Sequence, residues 1–195
     1  MSTTFIKDGV LIKRYLEGNT ASFETLVERH KDRIYGSVYH VVKDEYLAED
    51  IFQETFIKII RNIRAGKYNH EDKFLPWALR IARNMAIDYI RKTKRMPNIV
   101  TSDGSGTDLF ETINIHEKSQ EQLIIENEDH KRLHSWIHAL PAEQKEVLIL
   151  RSYANLSFKE IAEVTQSNIN TCIGRMHYAI TNLRKMMEKN SVNVK

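Results

Sequence analysis

Positive charge and aromatic surface occur together between Tyr68 and Arg95, and that combination has a chemistry. In FLPWALRIARNMAIDYIRKTKR, Arg80, Arg83, Asn84, Ile87 and Arg91 recur on one stripe of a helix, extended by Lys92, Lys94 and Arg95. Tyr68, Phe74 and Trp77 stand at its head. Cationic side chains hold phosphates while aromatic faces stack on unpaired bases, a pairing characteristic of surfaces that bind single strands. The competing reading of Phe74 and Trp77 is that they plug the core at the start of the helix.

A second basic group closes the chain. In LSFKEIAEVTQSNINTCIGRMHYAITNLRK, Ser157 followed by Glu160 is a capping box, which starts a short helix at Phe158 with Ile161 and Ala162 inside. Thr165-Gln166-Ser167 interrupts the apolar pattern, and Asn168 offers a cap for a second helix. Its apolar positions are Ile169, Cys172, Met176, Ala179, Ile180 and Leu183. Its outward positions are Asn170, Thr171, Gly174, Arg175, His177 and Tyr178, with Arg184, Lys185 and Lys189 following. Two short helices meeting at a tight turn make a helix-turn-helix, whose second helix can present its first turns to base edges in the major groove. A helical hairpin with a solvated polar face fits the same pattern.

Two further stripes have chemical potential. Asp50, Gln53, Glu54 and Ile57 line the outer side of EYLAEDIFQETFIKIIRNI, opposite Leu47, Ala48, Ile51, Thr55, Phe56, Ile59 and Ile63. Acids around an exposed isoleucine suit docking of a basic helical partner, with charge steering the approach and the apolar group holding it. His130, His134 and His138 share one helical stripe, where imidazoles can hold a metal. No carboxylate–histidine motif accompanies them, and a solvated face explains them equally well.

The elements that must position these groups are helical. The chain of 195 residues carries a net charge of +3, 28% charged residues, seven Gly and three Pro, too little turn punctuation for a strand-rich fold. Helices are expected over Phe5–Glu17, from a Ser22 cap along Phe23, Leu26, Val27, His30, Ile34, Tyr35, Val38 and Val42, and from an Asp44 cap onward. His30 in that stripe reads as a packed core histidine. The helix after Pro76 should bury Ala78, Ile81, Ala82, Met85 and Tyr89. The helix of residues 120–140 should bury Leu123, Leu133, Ile137 and Leu140, and Pro141 opens another. The single cysteine, Cys172, excludes an intramolecular disulfide framework and suits a reducing compartment. No run approaches the roughly 20 apolar residues of a bilayer span, so a cytoplasmic location is expected, without membrane insertion.

Met96–Ser119, with Pro97, Gly104 and Gly106 and no sustained period, reads as a flexible, mildly acidic linker. Its Leu109, Phe110, Ile113 and Ile115 suit lying against a partner. The expected architecture is all-α: two small helical domains, 1–95 and 120–195, joined by the linker 96–119, the second containing the helix-turn-helix.

Taken in order, LAEDIFQETFIKII, FLPWALRIARNMAIDYIRK, the irregular linker, LPAEQKEVLILRSYANLSFKEIAEV and a recognition helix ending ITNLRK resemble the extracytoplasmic-function group of sigma-70-type sigma factors. The resemblance runs from about Leu16 to Lys185. It implies a non-enzymatic transcription initiation subunit without a cofactor, which binds core RNA polymerase, directs it to promoters and helps to melt them. By resemblance, Asp50, Gln53, Glu54 and Ile57 bind the β′ coiled coil, with the β subunit and promoter DNA as further partners and an anti-sigma factor as a common inhibitor in the family. Arg80, Arg83 and Asn84 match the promoter −10 contacts, and the loop before Pro76 receives an extruded base. Ile173, Gly174, Arg175, His177 and Tyr178 match the positions facing the −35 element, with Lys159 and Asn168 on phosphates. The linker would thread towards the polymerase active-site channel. Gln166 stands where many relatives have glycine. Ile173, Gly174 and Tyr178 replace basic or hydroxyl residues, which favours van der Waals contact, for example with thymine methyls. A free-standing helix-turn-helix regulator remains the rival, and predicts tight duplex binding without polymerase.

Overall fold

A computed structural model describes residues 6–69, 73–95 and 132–191. The expectations for the linker 96–119, Leu123 and His130 fall outside these residues. The described elements are α1 (Asp8–Leu16), α2 (Thr20–Val42), α3 (Glu45–Arg64), α4 (Phe74–Arg95), α5 (of which 132–139 is described), α6 (Ala142–Ser152), α7 (Phe158–Thr165) and α8 (Ile169–Ser191). The fold is all-α, with α1–α4 forming one helical cluster and α5–α8 a second, joined by a linker.

Local chemistry sets most helix ends. Asp44 caps α3 by accepting from the Leu47 amide at 2.9 Å, and the Ser157–Glu160 capping box is formed as expected. The start of α2 is a correction: Asn19, not Ser22, is the cap, and its Oδ1 accepts from the Ser22 amide at 3.1 Å. An amide oxygen placed three residues ahead captures that orphan donor, which leaves Ser22 buried inside the first turn.

The first cluster closes over Leu11, Leu26, Ile34, Val38, Ile59, Ile63, Phe74 and Leu79, all buried. Each such side chain contributes about 1.5–3 kcal/mol relative to leaving it in water. Helix α4 is rotated from the expected register. Leu75, Ala78, Leu79, Ala82 and Ala86 are buried, Ile81 and Met85 are half-buried, and Tyr89 is exposed. The reason is that α4 packs on α2 and α3 on one side and on α7 on another, so its buried arc is wider than one amphipathic stripe. In the second cluster, Leu133, Ile169 and Ile180 are exposed rather than inside, while Cys172 and Ala179 are fully buried. Leu140, Leu148 and Ala179 form a small core there with Ile137, Met176, Leu183 and Met186.

His30 is a core histidine with a partner. Its Nε2 lies 2.8 Å from Asp8 Oδ2, and Arg29 Nη1 donates to Asp8 Oδ1 at 2.6 Å, pinning α1 to α2. Burial pushes the Asp8 carboxyl up, but His30 and Arg29 together outweigh it and hold the group below the usual carboxylate range. A carboxyl depressed in the folded state contributes stability above its unfolded value, about pH 4, and loses it as pH falls through the folded one. Asp8→Asn should therefore destabilise the protein by on the order of 2 kcal/mol near neutral pH. In urea titrations at several pH values, the gap between variant and parent should shrink on acidification below about pH 4; a gap independent of pH would show that the charge of Asp8 is not what matters.

Candidate nucleic-acid interface

On α3 the outward stripe forms as expected. Asp50, Gln53 and Glu54 are exposed, and Ile57 keeps 49% of its surface in water. Gln53 Nε2 donates to Glu49 Oε1 at 2.9 Å, which orients the amide along the helix. Tyr46 was missed from the sequence: it is 87% exposed and lies one turn ahead of Asp50. Helical spacing from Asp50 was the signal for it, since a large aromatic with no core to enter extends the stripe.

At the head of α4 the three aromatics meet. Tyr68 and Trp77 lie 4.8 Å apart centroid to centroid, edge to face, with Phe74 at 6.3 and 6.0 Å from them. Phe74 is 0% exposed and packs on His30 at 5.3 Å. It offers no face to a base in this conformation, which corrects its assignment as a stacking residue: it is the core anchor that Tyr68 and Trp77, both half-buried, rest upon. Beside them, Lys73, Pro76, Trp77 and Arg80 line a small hollow whose far wall is Glu163 of α7.

Arg80 is exposed and Asn84 half-buried. Arg83 differs from both. Its Nε and Nη2 donate to the two carboxylate oxygens of Glu146 on α6, at 2.5 and 3.1 Å. The two side chains are only 22% and 18% exposed, so this is a bidentate, largely desolvated pair.

The helix-turn-helix is built by α7 and α8. Gln166 closes α7 in the left-handed region at φ 54°, its amide donating to the Ala162 carbonyl. Asn168 Oδ1 accepts from the Asn170 amide at 2.8 Å and starts α8. Along α8, Asn170, Thr171, Ile173, His177 and Tyr178 are exposed, as is Lys159 on α7. A Cβ at Gly174 would meet nothing within 4 Å, so the glycine leaves backbone open to close approach. Arg175 is held: its Nη1 donates to Ser167 Oγ at 3.2 Å and its Nη2 lies 3.1 Å from Glu143 Oε2. Among the described residues no group of three or more His, Cys, Asp and Glu is placed to hold a metal ion. His138 instead faces His40 at 6.3 Å between ring centroids.

The order of these surfaces along the chain agrees with known families. Residues 26–96 match the family model "Sigma-70 region 2" and residues 130–181 match "Sigma-70, region 4". The chain is 31% identical over 179 residues to the ECF RNA polymerase sigma factor SigW of Bacillus subtilis, covering 90% of this chain and 94% of that one. The chain belongs to the extracytoplasmic-function (ECF) sigma factor family. It is also similar to the RNA polymerase sigma-H factor of Pseudomonas aeruginosa, 28% identical over 184 residues, which covers 93% of this chain and 94% of the relative. The same fold occurs in CnrH, solved in complex with the cytosolic domain of CnrY, at a TM-score of 0.63 and 19% identity over 93% of this chain and 97% of that one. It occurs too in the Bartonella quintana sigma factor RpoE, solved with the anti-sigma factor NepR, at 0.66 and 16% over 85% and 96%.

As an ECF sigma factor the chain is a transcription factor rather than an enzyme, one that binds core RNA polymerase and recognises promoters. Sequence reasoning placed the α4 and α8 stripes of this sigma factor but missed Glu143 and Glu146, the carboxylates on their arginines. No local signal marks them, because a glutamate on the first turns of a helix is unremarkable by spacing.

The turn itself gives a measurable consequence. A non-glycine residue in the left-handed region costs about 1–2 kcal/mol, so Gln166→Gly should raise stability by about 1 kcal/mol and Gln166→Val should lower it. Thermal unfolding of both variants checks this; equal stability of the two would mean that the turn relaxes to another conformation.

Proposed function

We propose that this sigma factor opens promoters by dividing the work between its two helical units. In this reading residues 1–95 bind core polymerase and the −10 element, 96–119 is a connecting linker, and 120–195 binds the −35 element. The observation that carries it is the presence, in one chain, of a cationic–aromatic face on α4 and a separate helix-turn-helix on α7 and α8. A duplex-only regulator has no use for the first.

The roles follow from chemistry. Asp50, Gln53, Glu54 and Ile57, with Tyr46 beside them, form the polymerase-docking stripe for a basic helical element such as the β′ coiled coil, an acidic rim around apolar contacts. Arg80, Arg83 and Asn84 hold the unpaired −10 strand while Tyr68 and Trp77 stack on it. Stacking of about 1–3 kcal/mol per base offsets an unpairing cost of a few kcal/mol. Arg175 and His177 read the −35 duplex with Asn170 and Thr171, Ile173 and Tyr178 supply apolar contact, Gly174 admits the backbone, and Lys159 and Asn168 hold phosphates. None of these steps calls for a cofactor. Similar folds solved with the cytosolic domain of CnrY and with NepR support an anti-sigma partner for this chain too. No helix among the described residues is long and apolar enough to cross a membrane, which fits work beside polymerase in the cytoplasm.

The test is transcription in vitro from a genomic promoter library with core polymerase, with and without the protein. New start sites sharing −35 and −10 motifs are expected, and their absence with folded protein and active polymerase would remove the reading. Replacing Asp50 and Gln53 together by alanine should weaken association with core polymerase without changing the melting temperature. Arg175→Ala should weaken binding to the −35 duplex about tenfold while polymerase affinity stays constant. Equal loss of both affinities in the Arg175 variant would show that the second unit has been misassigned.

A further inference from the structure

Where α2 and α4 meet α6 and α7 the protein forms a cavity of about 300 Å³, partly open to solvent. Leu79, Ile87, Ile149 and Val164 make its walls apolar, and Ser37 and Lys145 bring polar groups to it. Tyr153, at the end of α6, ties two of these helices together: its Oη donates to the Asp32 carbonyl of α2 at 3.0 Å. Its ring lies so close to Gly36 that a Cβ there would come within 2.5 Å of Cε1.

The charges on the lining do not balance. Arg83 and Glu146 border the cavity but neutralise each other in their bidentate pair, and Glu143 lies against Arg175. His40 adds no negative charge. What remains is Lys145, whose ammonium lies within hydrogen-bonding reach of Lys43, the residue that ends α2. Burial, with the Lys43 charge beside it, holds Lys145 below the usual lysine range. Among the described residues neither lysine has a carboxylate partner. The Ser37 hydroxyl is shielded from water and has no hydrogen-bond partner, which disfavours the fold unless something else satisfies it.

We propose that this cavity binds a medium-chain carboxylate, with its hydrocarbon tail among Leu79, Ile87, Ile149 and Val164 and its head group on Lys145 and Lys43. Apolar walls with a few polar groups are the usual make-up of a small-molecule site, and such sites favour the seams between helices and domains. Size sets the tail: a cavity of about 150 Å³ holds benzene, so about 300 Å³ suits a chain of about ten carbons. Charge sets the head group. A carboxylate turns the repulsion between two neighbouring ammonium groups into charge-assisted hydrogen bonds, with the Ser37 hydroxyl as a further donor. A neutral or cationic amphiphile gains nothing from the lysines. The site shares no residue with the acidic stripe of α3 or with the exposed face of α8.

Titration calorimetry of the full-length protein with sodium decanoate, kept below its micelle concentration, tests this without polymerase or promoter. One saturable site is expected, with 1-decanol binding about tenfold more weakly because it lacks the charge. Lys145→Met should bring decanoate down to the affinity of decanol while leaving decanol unchanged. Ile87→Trp, which fills the cavity from a half-buried position on α4, should abolish binding of both, with helicity and thermal unfolding showing that the variant is folded. The absence of saturable decanoate binding to the parent, or undiminished binding to the folded Ile87→Trp variant, would overturn the site. Decanol binding as tightly as decanoate, or a preference for decanoate that survives in Lys145→Met, would overturn the carboxylate as its ligand. Co-sedimentation with phosphatidylglycerol vesicles that Ile87→Trp abolishes would overturn a free acid in favour of a membrane lipid.

Discussion

The close seating of α4 is the constraint on which the other surfaces depend. Ala78, Ala82 and Ala86 are fully buried along it, and small side chains at that spacing let neighbouring helices approach closely. Helix α4 packs on α2 and α3 within the first unit and on α7 of the second. Phe74, with no exposed surface, anchors its first turn against His30, which in turn is tied to Asp8 of α1. The positions of Trp77, Arg80 and Arg83 all follow from that anchor. A shift of α4 would move the cationic face, the aromatic pair and the seat of α7 together.

Electrostatics acts here through placement rather than total charge. A net charge of +3 on 195 residues supplies little general attraction for nucleic acid. What distinguishes the molecule is that Arg83 and Arg175 each have a carboxylate partner within the fold. The Arg83 pair is largely desolvated and bidentate. The Arg175 pair has its glutamate 71% exposed and is correspondingly weak. The two differ in setting: the Glu143 end of the Arg175 contact is open to water, whereas both ends of the Arg83 pair are shielded where α4 meets α6.

Local signals carried much of this structure. The Ser157–Glu160 capping box, the Asp44 cap, the buried stripe of α3 and the exposed stripe opposite it are each set by residues within a few positions of one another. The misplaced residues are those for which a single helical period was asked to decide between two neighbours. Leu79 joins the core because α4 is covered over a wider arc than one amphipathic stripe supplies, while Tyr89, nearer the end of that helix, stays exposed. Ile169 and Ile180 read as inward by hydropathy, yet both are exposed on α8, and among that helix's described residues Cys172 and Ala179 are the ones that reach full burial.

The sequence by itself determined the helices, the caps of α3, α7 and α8, the order of the acidic stripe of α3 and the basic stripes of α4 and α8, and the family. These rest on short-range periodicity and capping, which are read within a turn or two. Tertiary structure decided that Phe74 is an anchor rather than a stacking surface, that Gly36 makes room for Tyr153, and that Arg83 is already occupied. Glu146 lies 63 positions from Arg83, and no local rule connects them. Whether a charged stripe meets water, DNA or another part of its own chain depends on what packing brings opposite to it.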